Sequence, residues 1–387
     1  MSDVRDFIIN MYQNNGSFSY SPKNKISNLY STCFGVLCLD LIGELKYFKD
    51  KGKLVSFIQN YQDKNEGYFI DNSVITNRSI KHNKKYVLLQ LTDFAQLALK
   101  ALDEKPLYPY KFLNQYKNNK KLVDWFYNLN WKDPWLASNE IMFILNCFIY
   151  ENESKNKNYI VKIINLLNKN QDSKNGFWNL NNRVTYHNQM AGAYHFMFFY
   201  TYLNLTPQFV SKMIDSTLKI QSIDGLFNYS TGGGSCDDLD AVDILCRSTF
   251  YTNHKYEEIS LALTKVYFEI LKNQNDDGGF CWAKRQNNIY LLTQGLINLN
   301  LFFIPFDFLN NFLAKLTQIY LVLSGKKSYW AYSGIKSMKI MQSDSDLFST
   351  WFRLTSLAFI EKTIPTLKSK KIPNWKLRKN SGLGFYR

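Results

Sequence analysis

Two kinds of helical segment alternate along this chain. Phe209 to Ile220 gathers its apolar residues on one helical face, whereas Tyr194 to Tyr202 is apolar nearly all round. A helix apolar on every side must be buried, and an amphipathic one covers a core. The alternation therefore predicts pairs, each with one inner and one outer helix. Inner helices are predicted to open near Ser31, Thr92, Ser138, His187, Asp237, Thr293 and Ser349, at intervals of 61, 46, 49, 50, 56 and 56 residues.

Between them a phrase of Gln, polar residues, Gly and an aromatic recurs. Its copies begin at Gln13, Gln62, Gln171, Gln221 and Gln274, with gaps of 49, 109, 50 and 53 residues. The long gap spans two periods, with a degenerate copy between Trp125 and Trp135. The Gly is expected to end the outer helix in a left-handed cap, and the aromatic to wedge between units. A supersecondary unit repeated at such a period stacks on its own copies. The expected fold is all-α, an α/α toroid of six to seven helical hairpins around a central cavity, with the inner N-termini opening at one end. No Gly/Ser-rich, Pro-rich or acidic linker interrupts it, so residues 1–387 are expected to form a single domain.

Composition adds to this where it excludes something. The net charge of +15 comes from lysines spread along the chain, densest at Lys117, Lys120 and Lys121 and at Lys368, Lys370 and Lys371. No zinc-finger, RNA-recognition or basic-zipper pattern accompanies them, so no nucleic-acid partner is expected. The charge suits a phosphorylated substrate or an anionic membrane surface. Asp3 and Asp6 stand where a secretory leader needs a basic start, and no apolar run reaches the roughly 18–20 residues that span a bilayer. Six scattered cysteines without CxxC pairs read as buried, reduced thiols. The expected location is cytoplasmic, with peripheral membrane contact left open. The 26 Tyr, 29 Phe and 8 Trp suggest an aromatic-walled cavity.

Candidate chemistry concentrates in Ser235-Cys-Asp-Asp-Leu-Asp-Ala-Val-Asp243, which follows three glycines. Asp237 and Asp238 also suit helix capping. Asp240 and Asp243 lie three apart on one face, and Asp243 sits inside an apolar run. Clustered carboxylates share protons, which keeps a proton donor available near neutral pH. A second constellation precedes the inner helix near His187: Arg183, Tyr186, His187, Asn188 and Tyr194, with His187 at the cavity mouth as a general acid or base and His195 deeper, as a core residue. Trp178, Trp282, Trp330 and Tyr194 would present ring faces to a cation. No cofactor is expected; the carboxylates alone offer oxygens to Mg²⁺ or Ca²⁺.

The phrase at Gln221–Phe227 and Gln274–Phe280 resembles the QW-type repeat of the terpenoid cyclase and protein prenyltransferase superfamily. Asn28-Leu-Tyr-Ser-Thr-Cys-Phe-Gly-Val-Leu and Asp346-Leu-Phe-Ser-Thr-Trp-Phe-Arg-Leu resemble its inner-helix openings. The resemblance implies a squalene cyclase-like toroid and acid-initiated cyclisation or isomerisation of an isoprenoid. The acidic stretch departs from the Asp-x-Asp-Asp motif of class II cyclases by one carboxylate in either alignment. The zinc-binding Asp-x-Cys pair of the prenyltransferase β-subunits is absent, and no His follows His254. Two other readings stand beside this one. One is a carbohydrate-active toroid, of the uronate lyase or epimerase kind, with Arg183 and Arg247 holding a sugar carboxylate; the other is a non-catalytic binding toroid.

Overall fold

The computed structural model describes residues 4–79, 82–181, 183–285, 289–367, 375–378 and 381–383. Helix α1 (Val4–Asn10) and a small hairpin, β1 (Tyr12–Gln13) with β2 (Ser17–Phe18), precede α2 (Leu29–Leu41), every residue of which is buried. Then come α3 (Lys51–Gln59), α4 (Asn72–Thr76), α5 (Lys84–Ala101), α6 (Asn119–Asn128) and α7 (Pro134–Asn170). Helix α7 breaks at Asn152, where the backbone is extended (φ −173°, ψ 98°). The Asn152 side chain caps the second half by accepting the Lys155 N–H at 2.9 Å. Next are α8 (Tyr186–Tyr202), α9 (Val210–Lys219), α10 (Ser235–Ser248), α11 (Tyr256–Lys272), α12 (Ile289–Gln294) and α13 (Pro305–Ser324). The antiparallel strands β3 (Tyr329–Ala331) and β4 (Lys339–Met341) pair Tyr329 with Met341, and α14 (Leu347–Thr363) follows.

The helices apolar on all sides form the inner ring. Helix α2 packs on α5, α5 on α7, α7 on α8, α8 on α10, α10 on α14, and α14 returns to α2. The ring thus has six inner members, covered by α1, α3, α6, the second half of α7, α9 and α11. The inner helix expected near Thr293 does not exist as such. Thr293 lies in the short α12, and α10 touches α14 directly, leaving no inner place between them. The start expected at Thr92 is also displaced, because α5 begins two turns earlier, where Asn83 accepts the Tyr86 N–H.

The repeated phrase has a repeated job. Its Gln closes a tight turn by donating to the carbonyl of the Gly in copies two to four: Gln62 to Gly67 at 3.1 Å, Gln171 to Gly176 at 2.8 Å, and Gln221 to Gly225 at 2.7 Å. The Gly is not a helix cap as expected. Gly16, Gly67, Gly176 and Gly225 sit several residues past the helix end with positive φ; Gly16, Gly176 and Gly225 press against a neighbouring outer helix and Gly67 against Pro109. A Cβ on Gly176 would stand 2.3 Å from Met213 N. The aromatic's N–H is then taken by an inner-helix hydroxyl: Phe18 by Thr32, Phe69 by Thr92, and Phe280 by Thr350. This recurring anchor explains Thr32, Thr92 and Thr350 in the openings read from the sequence, which face the phrase, whereas Ser138 bonds His195.

Beyond the ring, Lys376 and Arg378 hold the buried Asp40 at the end of α2 (2.9 and 2.6 Å). The basic residues Lys368, Lys370 and Lys371 lie outside the described residues. Among the described residues, no helix is long and apolar enough to cross a membrane.

Candidate functional site

The N-terminal halves of five inner helices surround a cavity of about 840 Å³, open on one side. Its wall is aromatic. Trp282 stacks on Trp330 (4.4 Å between ring centres, 24°), Trp330 meets Phe348 (5.6 Å), and Phe348 meets Phe352 (4.3 Å). Phe94, Trp135, Tyr194 and Tyr332 continue it, and Leu383 contributes from near the C-terminus. The polar groups that reach it are few: Gln90, Asn139, His195, Cys236, Asp240 and Ser333.

The four aspartates of α10 take four different roles. Asp238 is scaffold: it accepts the Phe227 N–H at 2.7 Å and the Gly234 N–H at 3.1 Å, and it pairs with the fully buried Arg353. It occupies the place that Thr32, Thr92 and Thr350 hold in other units, so a carboxylate has replaced the hydroxyl and an arginine has been recruited to balance it. Burial raises its pKa to about 6, against the pull of Arg353. Asp243 pairs with Arg247 at 2.6 Å, both buried, so neither faces the cavity. Burial raises the Asp243 pKa, opposed by Arg247. Asp237 accepts from Asn228 Nδ2 at 2.5 Å on the outer rim.

Asp240 differs from all three. It is 2% exposed and lines the cavity, and among the described residues it has no hydrogen bond or ion pair to another side chain. Burial and the neighbouring Asp237, Asp243 and Asp238 push its carboxyl well above the usual range. Both influences favour the protonated form of the carboxyl. Tyr194, beside it in the wall, has a buried hydroxyl without a hydrogen-bond partner among the described residues.

The histidine constellation separates. His187 stands at the rim, its Nε2 3.7 Å from Asp237 Oδ1 and its ring 4.8 Å from Tyr229, and it is not part of the cavity wall. Its backbone N–H and that of Tyr186 donate to Asp307 of α13. Asn188 ties α8 to the start of α7, accepting the Trp135 N–H (3.0 Å) and donating to Asp133 (3.1 Å). Arg183 is exposed on the loop ahead of α8. Neither of the cations expected to hold a sugar carboxylate, Arg183 or Arg247, therefore reaches the cavity. Trp178 is the repeat's wedge: it is buried between Phe196 and Tyr200, and its Nε1–H donates to the Leu167 carbonyl. His195, read as core, is both buried and cavity-lining. Its Nδ1 meets Ser138 Oγ at 2.9 Å, and burial lowers its pKa to about 3, so the ring is neutral.

Of the residues picked out from the sequence, Tyr194, Asp240, Trp282 and Trp330 thus meet at one cavity. Trp135, Asn139, Phe348, Phe352 and the turn at Tyr332 were missed. A visible signal existed for the α14 pair, since Phe348 and Phe352 are one helical turn apart on a predicted inner helix. Cys236 likewise lines the cavity and is half-buried, where a fully buried thiol was expected. Among the described residues, no group of three or more His, Cys, Asp or Glu is placed to hold a metal ion.

The model of the prenyltransferase alpha-alpha toroid domain family matches residues 1–85 and 110–288, roughly two thirds of the chain. Two solved structures of the type II terpene cyclase MstE from Scytonema are similar. One is a variant in complex with geranylgeranyl dihydroxybenzoate as substrate (10% identity, 93% of this chain and 96% of that one, TM-score 0.47). The other is the apo enzyme (11% identity, 94% and 97%, TM-score 0.46). No curated protein matches. With six helical hairpins closed into a ring and a family match over most of its length, the chain belongs to the prenyltransferase alpha-alpha toroid domain family.

Proposed function

We propose that this toroid is an acid-initiated cyclase or isomerase of an isoprenoid substrate, with Asp240 as the proton donor. One observation carries the reading: a buried carboxyl, pushed toward its protonated form and without a side-chain partner among the described residues, faces a cavity walled by Trp282, Trp330, Phe348 and Phe352. A carboxylic acid held neutral by its surroundings is suited to protonating a weak base. Its proton would bond to an alkene carbon through the π pair, leaving a carbocation on the substrate and a carboxylate on Asp240. A second alkene's π pair would close a ring. Loss of a proton from the last cation and return of one to Asp240 make the net change an isomerisation, with no co-reactant. Ring faces stabilise a passing cation by about 0.5–2 kcal/mol each, and the largely aromatic wall offers few polar groups to hold water beside it.

The test is product detection by mass spectrometry after incubation with prenyl diphosphates, squalene and uronate oligosaccharides. The expected result is a cyclised or isomerised isoprenoid from the wild type and from His187→Ala. With Asp240→Asn it should fall by at least about 10²-fold, the lower end of general-acid contributions. Turnover of a saccharide, tight isoprenoid binding without turnover, or full activity in Asp240→Asn would overturn the proposal.

A further inference from the structure

Helix α13 is built inside out. Between residues 286 and 325 the sequence holds only two charged residues, Asp307 and Lys315, in a chain that is 20% charged. Both point inward, on one stripe with Asn311 and Gln318. Asp307 accepts from the Tyr186 and His187 N–H groups (2.7 and 3.0 Å) and from the Tyr229 hydroxyl (2.7 Å). Lys315 donates to the Tyr229 carbonyl at 2.6 Å, and Gln318 accepts the Thr231 N–H at 3.1 Å. The apolar residues look outward: Phe302 is 63% exposed, Phe303 89%, and Leu323 71%, with Leu309, Leu313 and Tyr320 between them. A helix facing water has the opposite arrangement, and a contiguous apolar surface of this kind marks an interaction face.

The surroundings indicate what covers it. At the C-terminal end of α13, a pocket of about 770 Å³ takes Lys284, Arg285, Lys326 and Lys327, and among the described residues no carboxylate lines it. Arg285 is fixed there by the Thr231 and Gly233 carbonyls (2.9 and 2.7 Å) and by Gln342 (2.9 Å). A protein partner would ordinarily meet a polar rim with about ten hydrogen bonds, whereas the outward face of α13 carries no charge over its whole length. An apolar face ending in a cluster of cations, on a chain of net charge +15, is complementary to acyl chains beneath a layer of phosphate headgroups. We propose that α13 lies on an anionic phospholipid bilayer, its outer side chains at the acyl boundary and the Lys284, Arg285, Lys326 and Lys327 cluster beside the headgroups. Through Asp307 and Tyr229 the same helix braces the rim beside the cavity, so the bilayer would lie next to the toroid's entrance. The inference does not depend on what the cavity catalyses.

Flotation of the whole protein with vesicles tests it without any turnover. The protein should float with vesicles of equal parts phosphatidylcholine and phosphatidylserine, float weakly with phosphatidylcholine alone, and stay bound in excess inorganic phosphate. Lys326→Ala and Lys327→Ala should each weaken binding roughly fivefold. Phe303→Ser with Leu323→Ser should weaken it more than about tenfold while thermal melting stays unchanged, since both side chains are exposed. The proposal is overturned by no flotation on either vesicle, by release in inorganic phosphate, or by flotation indifferent to the Phe303 and Leu323 changes. It is equally overturned if the wild type is a dimer by light scattering that the same double variant turns into a monomer, because a second copy then covers the face.

Discussion

Replacing Arg353 by Leu tests whether Asp238 is scaffold or acid. The guanidinium is fully buried, pairs with the Asp238 carboxylate, and donates to the Trp282 carbonyl at 2.7 Å, so it links α14, α10 and a cavity wall. Leucine leaves a buried carboxylate without its counter-charge, which costs about 3–5 kcal/mol, a large share of the roughly 5–15 kcal/mol by which such folds are stable. Asp238→Thr in the same chain restores the hydroxyl that Thr32, Thr92 and Thr350 present elsewhere, and removes the stranded charge. The double variant should then lose only the unmet carbonyl and amide partners, about 1–3 kcal/mol. Without Arg353, only backbone hydrogen bonds such as that from the Phe227 N–H still oppose the burial that raises the Asp238 pKa. A raised folded pKa favours the protein below the unfolded value of 3.8 and loses that support as pH rises through the folded one. The penalty of Arg353→Leu should therefore shrink on acidification from neutral pH toward 4. Urea unfolding across that range measures all of this. A double variant no more stable than Arg353→Leu, or a penalty that grows in acid, would falsify the scaffold assignment.

Further expectations concern neighbouring features. Activity carried by Asp240 should fall on the alkaline side as its raised pKa is passed, since the donor is the protonated form; initial rates against pH would show this, and a rate that rises with pH through that limb would exclude it. His195, neutral in the fold with a pKa moved from 6.5 to about 3, makes the folded state lose ground as pH drops below 6.5, because only the unfolded chain takes up that proton. The total is on the order of 4–5 kcal/mol, and His195→Gln should flatten the pH dependence of urea midpoints by that one proton. Gly176→Ala should destabilise by about 3 kcal/mol or more, since its φ is +78° and its Cβ would meet Met213 N at 2.3 Å; Gly52→Ala, on an open helix surface, should stabilise by about 0.5–1 kcal/mol. Thermal melting of the two variants, moving in opposite directions, is the check.

The toroid was legible because its causes are local. Helices such as α2, apolar on every side, must be buried, and the Gln–Gly–aromatic phrase closes its turn within a few residues, so both leave a periodic mark on the sequence. The miscounted inner helix near Thr293 shows the limit of that reasoning: α12 and α13 continue the apolar pattern, but whether a helix lies inside or outside depends on which neighbours occupy the ring. The outward apolar face of α13 is likewise decided by contacts more than a hundred residues away, at Tyr186 and His187. The acidic stretch could be found by its composition, yet its four carboxylates are chemically equivalent in one dimension. Arg353 from α14 pairs with Asp238 and Arg247 with Asp243, while among the described residues Asp240 has no such countercharge and lines the aromatic cavity. Sequence determined that helices would pair, repeat and close around an aromatic interior. Which carboxyl is left without a countercharge and pushed toward its protonated form was decided only in the tertiary structure, because a pKa depends on burial and on the distance to countercharges, and the chain sets both only once it has folded.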